Sequence, residues 1–143
     1  MMPVRHNDST RRPSLRLVVH IGVAKTHKYA ARESGDTVEV VERPNGGITV
    51  LLVDGQGSGA PAKALSLMLT ARGAGLLKEG VRDGAVARAL NDLLFTLRGG
   101  KVSAALDIVS VDLKHETLVL TRNGSTTALL CDGIDHTSLP PKE

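Results

Sequence analysis

Aromatic residues are almost absent: the 143 residues hold one Tyr, one Phe and no Trp. A core built around large rings is excluded, and little remains on which nucleic-acid bases could stack. Cysteine is nearly missing too. Cys131 stands alone, so there is no internal disulfide and no thiolate metal site, and it reads as a small buried residue on a strand. No apolar run approaches the roughly 18 residues that a bilayer span needs, and Met1–Ser14 is polar and basic with no signal-peptide core. A cytoplasmic protein with no membrane partner is expected. The net charge of +3 is no basic stripe either, because Arg5, Arg11, Arg12 and Arg16 against Asp8 account for all of it. Nucleic acid is therefore not an expected partner. Residues 1–14 read as a flexible basic tail, and 15–143 as one domain with an aliphatic core.

What is present is patterned. Alternation of Leu15, Leu17, Val19, Ile21 and Val23 predicts a first strand. Thr37–Val41 and the aliphatic run Ile48–Val53 flank Pro44-Asn45-Gly46-Gly47, which is dense turn chemistry and predicts an antiparallel hairpin. After the loop Gly55–Gly59, Pro61 suits the first turn of a helix whose apolar face is Leu65, Met68, Leu69 and Leu76, with Ser58 as a capping candidate. A second helix runs from an Asp83 cap to a Gly99 stop, with Val86, Leu90, Leu93, Leu94 and Leu97 on one face. Strands follow over 102–113, 117–122 and 126–131, and Asp132-Gly133 reads as a turn. The order of strands, two helices and strands indicates α+β with an antiparallel sheet.

The hairpin brings two acids together. Asp36 and Asp54 are equidistant from the turn, so they fall opposite each other, with Cβ atoms roughly 4.5–5.5 Å apart. Like charges so placed are destabilising unless something offsets them, and a hard divalent cation with oxygen ligands does so. Gly55 lets its carbonyl approach the same point. Alone, either aspartate reads as a strand end exposed to water; opposed, both readings stay open. Gly55-x-Gly57-x-Gly59 could also cradle a phosphate at a helix N-terminus, but the parallel βαβ context that a nucleotide site needs conflicts with the hairpin. His20, His27, His115 and His136 are not spaced as metal pairs and read as solvated, Asp107 reads as solvent-facing, and Ser58 lacks a His/Asp escort.

Glu33-Ser34-Gly35-Asp36 followed by Val53-Asp54-Gly55-Gln56-Gly57-Ser58-Gly59 resembles the paired signatures of metal-dependent protein phosphatases of the 2C type (PPM), in their bacterial SpoIIE-like branch. The resemblance extends over nearly all of residues 17–139. It implies an antiparallel β-sandwich flanked by helices (αββα) and hydrolysis of phosphoserine or phosphothreonine by water activated at two Mn²⁺ or Mg²⁺ ions. By the same correspondence Asp36 binds one metal, Asp54 bridges both, Gly55 ligates through its carbonyl, and Arg32 matches a phosphate-binding arginine. The implied partner is a phosphorylated regulatory protein of the anti-sigma-factor-antagonist type, and nothing indicates an oligomeric state. The family's later metal-binding aspartates would lie beyond Glu143, since Asp132-Gly133 matches an earlier turn. The chain is then expected to be a partial phosphatase domain with its C-terminal part missing, or, in a different class, a non-catalytic interaction module on the same fold.

Overall fold

The computed structural model describes residues 16–26, 29, 33–124 and 126–141. The expected tail over 1–14 lies outside them. The elements are β1 (Asp36–Glu42), β2 (Ile48–Gly55), α1 (Gly59–Lys78), α2 (Asp83–Arg98), β3 (Ala104–Asp112), β4 (Thr117–Arg122), β5 (Ala128–Asp132) and β6 (Asp135–Leu139). Strands β1 to β4 form one antiparallel sheet in the order β1-β2-β3-β4, and β5 pairs with β6 in a separate ribbon. The α+β architecture matches the expectation. Both helices lie on one face of the sheet, α1 against β1 and β2, α2 against α1 and the β3–β4 side.

Turn chemistry sets the hairpin. The Arg43 N–H donates to Gly47 O at 2.7 Å, Gly46 N–H to Arg43 O at 2.9 Å, and Gly47 N–H to Asn45 Oδ1 at 3.1 Å, while Gly46 takes φ 86°. An Asx side chain and a left-handed glycine are the residues such a turn requires.

Alternation then sorts the side chains. Thr49, Leu51 and Val53 of β2, with Leu106 and Ile108 of β3, face the helices and are buried. They meet Leu65, Leu69 and Leu77 of α1 and Val86, Leu90 and Leu94 of α2. Full burial of each such aliphatic contributes about 1.5–3 kcal/mol. Of the expected helix faces, Met68, Leu76 and Leu93 pack partly, whereas Leu97 remains exposed near the end of α2, which Gly99 closes in left-handed geometry. Ser58 occupies the N-cap of α1 but makes no side-chain cap bond, and Arg82 rather than Asp83 occupies that of α2.

Three expectations need correction. Residues 16–23 form no strand, and Leu17, Val18, Ile21 and Val23 are exposed. Alternation shows that a segment can bury one face, but a strand also needs a ladder partner, and no described strand pairs with it. Cys131 is exposed instead of buried, because the described residues cover neither face of the β5–β6 ribbon at this position; its Sγ lies 3.0 Å from His136 Nδ1 across the ribbon. Asp107 is half-buried rather than solvent-facing. It sits on the sheet face away from the helices, opposite Arg122, and its Oδ1 is buried with no hydrogen-bond partner among the described residues. Burial raises its carboxyl pKa, opposed by the Arg122 charge. Arg122 has other work: its guanidinium donates to Thr126 O (3.1 Å), Leu139 O (2.8 Å) and Pro140 O (2.7 Å), tying the ribbon to β4. His115 is likewise engaged, with Nδ1 2.7 Å from Asp112 Oδ2, and its hydrogen bonds hold the Asp112 carboxyl below the ordinary range.

Among the described residues no helix is long and apolar enough to cross a membrane.

Leu51→Ala removes a fully buried side chain at the helix–sheet interface and should cost about 2–5 kcal/mol, read as a lower urea midpoint at unchanged slope. Asp107 gives a pH signature. Its native pKa is raised above the ordinary 3.8, so the native state holds the proton more tightly, and stability falls as pH rises from 3.8 through the native value. Asp107→Asn should remove that fall, leaving the variant more stable than wild type above the window and equal to it below, as measured by urea melts from acid to neutral pH.

Candidate functional site

The β1–β2 register pairs Asp36 with Asp54, Thr37 with Val53 and so on to Glu42 with Ile48. Asp36 and Asp54 therefore oppose each other at the end of the hairpin farthest from its turn. Thr37 and Val53 point into the core, so alternation turns both carboxylates to the face away from the helices, Asp36 half-buried and Asp54 exposed. The Asp36 N–H donates to Ser34 Oγ at 3.2 Å.

Gly55 follows, buried and paired with Ala104 of β3. A Cβ there would stand 2.4 Å from Ala62 O, so only glycine lets α1 seat its first turn against the strand end. Gly35, beside Asp36, meets the same residue, because its Cβ would fall 2.8 Å from Ala62 Cβ. The loop between β2 and α1 is pinned from the other side: Gln56 N–H donates to Ser103 O at 3.1 Å, and Gln56 Oε1 accepts from Ser103 N at 2.6 Å. A cleft of about 110 Å³ opens here, lined by Thr26, Glu33, Ser34, Asp36, Asp54 and Ser58, with Gly35 and Gly57. The expected glycine-rich loop thus borders the same cleft as the two aspartates. It follows an antiparallel strand, so the nucleotide-fold context is absent.

Two lysines flank the acids. Lys63 Nζ donates to Asp36 O at 2.8 Å and to Thr37 Oγ1 at 2.9 Å, and Lys25 Nζ donates to the same Asp36 carbonyl. Thr37 Oγ1 and Ser66 Oγ lie 2.7 Å apart, and Ser66 Oγ donates to Lys63 O at 3.1 Å. Contact with Lys25 lowers the Lys63 pKa, as do burial and the Lys25 charge, while Glu33 and Asp36 oppose the shift. Sequence reasoning missed Lys25 and Lys63. Lys63 is nine residues beyond Asp54 on a helix, and nothing in its spacing says that it reaches back to Asp36. Arg32, the expected phosphate ligand, lies outside the described residues, as does His27.

The donor set is all oxygen: two carboxylates on adjacent strands and the carbonyl at Gly55. Hard cations such as Mg²⁺ and Mn²⁺ suit it, and soft metals do not. Among the described residues no group of three or more His, Cys, Asp or Glu side chains could hold a metal, so two carboxylates would have to share the coordination with water and substrate oxygens.

The profile of the family described as Stage II sporulation protein E (SpoIIE) matches residues 44–143, a stretch that includes Asp54 and Gly55 and begins after Asp36. No curated protein matches the chain. Among solved structures, the PP2C phosphatase domain with a regulatory-domain fragment of SpoIIE from Bacillus subtilis is 21% identical, with a TM-score of 0.68 over 77% of this chain and 32% of that one. The RsbU and RsbW domains of Rv1364c from Mycobacterium tuberculosis are 17% identical, with a TM-score of 0.69 over 80% of this chain and 33% of theirs. The phosphatase domain of SpoIIE from Bacillus subtilis, in a crystal form without domain swapping, is 20% identical, with a TM-score of 0.51 over 75% of this chain and 46% of that one. The chain thus spans less than half the length of each of these structures and shares their fold over most of its own. With the family profile covering more than two-thirds of its length, the chain belongs to the stage II sporulation protein E family and has the fold of a PP2C-type phosphatase domain.

Proposed function

We propose that the chain is the part of a Mn²⁺- or Mg²⁺-dependent serine/threonine protein phosphatase that carries the first metal-binding carboxylates. The observation that carries this reading is the pairing of Asp36 with Asp54 beside Gly55, under the first turn of α1. Asp36 would hold one ion, Asp54 would bridge two, and the Gly55 carbonyl would be the third ligand from these residues. Ions bound there supply Lewis-acid activation of water and neutralise charge on the phosphoryl oxygens.

The chain's own residues do the rest. The register sets the two carboxylates opposite each other at one end of the ladder, where a single cation can meet both. The cleft between Ser34 and Ser58 leaves the phosphoryl group an approach from solvent. The proposed substrate is a phosphorylated regulatory protein of the anti-sigma-factor-antagonist type. Support comes from the family and from the Mycobacterium tuberculosis structure, in which an RsbU domain and an RsbW domain are found together.

A second reading has one observation in its favour: among the described residues no group of three or more His, Cys, Asp or Glu side chains is placed to hold a metal. On that reading the fold recruits a phosphoprotein without hydrolysing it.

Aryl phosphate hydrolysis separates the two readings. The phosphatase reading expects turnover of p-nitrophenyl phosphate with Mn²⁺, abolished by chelator and reduced by Asp54→Asn by at least the roughly 10–100-fold that outer-shell changes at metal sites produce. Phosphopeptide binding without turnover establishes the recruiting module. Turnover that survives both chelator and Asp54→Asn sinks the metal mechanism. Gly55→Ala should displace α1 from the strand end, lowering stability by about 1–3 kcal/mol in thermal melts and weakening Mn²⁺ binding in the same protein.

A further inference from the structure

We infer that Lys63 is a positioning residue for the metal centre, acting through Asp36; the inference rests on the metal-binding reading above. Asp36 is the first residue of β1, an edge strand, and the chain before it forms no helix or strand among the described residues. Strand ends without further pairing fray. Asp54, in contrast, belongs to the inner strand β2 and has ladder neighbours on both sides, Asp36 and Ala105. Of the two carboxylates, Asp36 is the one whose place needs an added constraint.

Lys63 supplies it from α1. Its ammonium spans the Asp36 carbonyl and the Thr37 hydroxyl, and Thr37 closes a ring through Ser66 back to the Lys63 carbonyl. Both ends of that ring are anchored: Ser66 is fully buried, and Thr37 is 8% exposed on the core face of β1. The same first turn of α1 rests on β2 through Ala62 and Gly55. The beginning of α1 is therefore a bracket across both aspartate-bearing strands, held to β2 by steric contact and to β1 by hydrogen bonds from Lys63. Lys63 is half-buried and contributes nothing to the aliphatic core, so its removal need not unfold the protein.

Charge and position make opposite demands here, which gives the test its sign. An ammonium beside a cation site repels the cation, so deleting Lys63 for its charge alone would tighten metal binding. Deleting it as a positioner loosens Asp36 and weakens binding. Mn²⁺ is titrated into wild type, Lys63→Met and Lys63→Arg, and free Mn²⁺ is read by electron paramagnetic resonance, with thermal melts of the metal-free proteins alongside. The expected result is a dissociation constant about 10-fold weaker in Lys63→Met. Partial recovery is expected in Lys63→Arg, whose guanidinium can reach the same carbonyl, with metal-free melting temperatures unchanged. Should Lys63→Met fail to fold, Lys63→Gln, which keeps a donor of shorter reach, is read in its place. Unchanged or tighter binding overturns the inference while leaving the metal site intact. Equal loss in the Met and Arg variants together with lowered melting temperatures also overturns it, in favour of a general structural role. Wild-type protein that takes up no Mn²⁺ removes the metal-binding reading and this inference together.

Discussion

Two carboxylates held opposite each other across a hairpin are the constraint around which this end of the molecule is arranged. Asp36 and Asp54 are brought opposite each other by a register fixed nine residues away at the Asn45–Gly47 turn, and a slip of one residue would turn every core side chain of the strand to the wrong face. The hydrophobic alternation of β2 and the placement of the acids are thus one fact. Leu51 and Val53 are buried because Asp54 faces the other way, and the converse also holds.

The repulsion has several neighbours that moderate it. Lys25 and Lys63 bring positive charge to the Asp36 end, and the donor set suits a divalent cation. The start of α1 reaches both strands, its first turn touching β2 where Gly55 has no Cβ and the following turn bonding to β1 through Lys63 and Ser66. A helix seated in this way links the packing of the domain to the separation of the two acids, since α1 is also the element that buries Leu65, Leu69 and Leu77 against the sheet.

The far side of the sheet behaves differently. Ile48, Val50 and Leu52 are only half-buried there, while Val40 and Leu118 are exposed, although Ile48–Val53 is an almost wholly aliphatic run. Asp107 stands among these residues with one oxygen unpartnered among the described residues, and Arg122 opposite it spends hydrogen bonds on the β5–β6 ribbon and Pro140 just past it. Arg122 thus ties the ribbon to β4, and the carboxylate opposite it is left under-satisfied among the described residues.

The hairpin, its register, the two helices and the opposition of Asp36 and Asp54 could be read from the sequence, because each is local: turn residues fix a ladder, and period and caps fix a helix. Elements that depend on a partner could not. The alternating segment at 16–23 lacks a ladder partner among the described residues, and Cys131 lies on a ribbon whose faces the described residues leave exposed, so burial patterns that look alike in sequence end differently. The half-burial of Asp107 and the reach of Lys63 to Asp36 were decided only when α1, β3 and β4 came together. A hydrogen bond between residues 27 positions apart leaves no periodic trace in the chain, and desolvation of a strand carboxylate depends on which neighbours cover it.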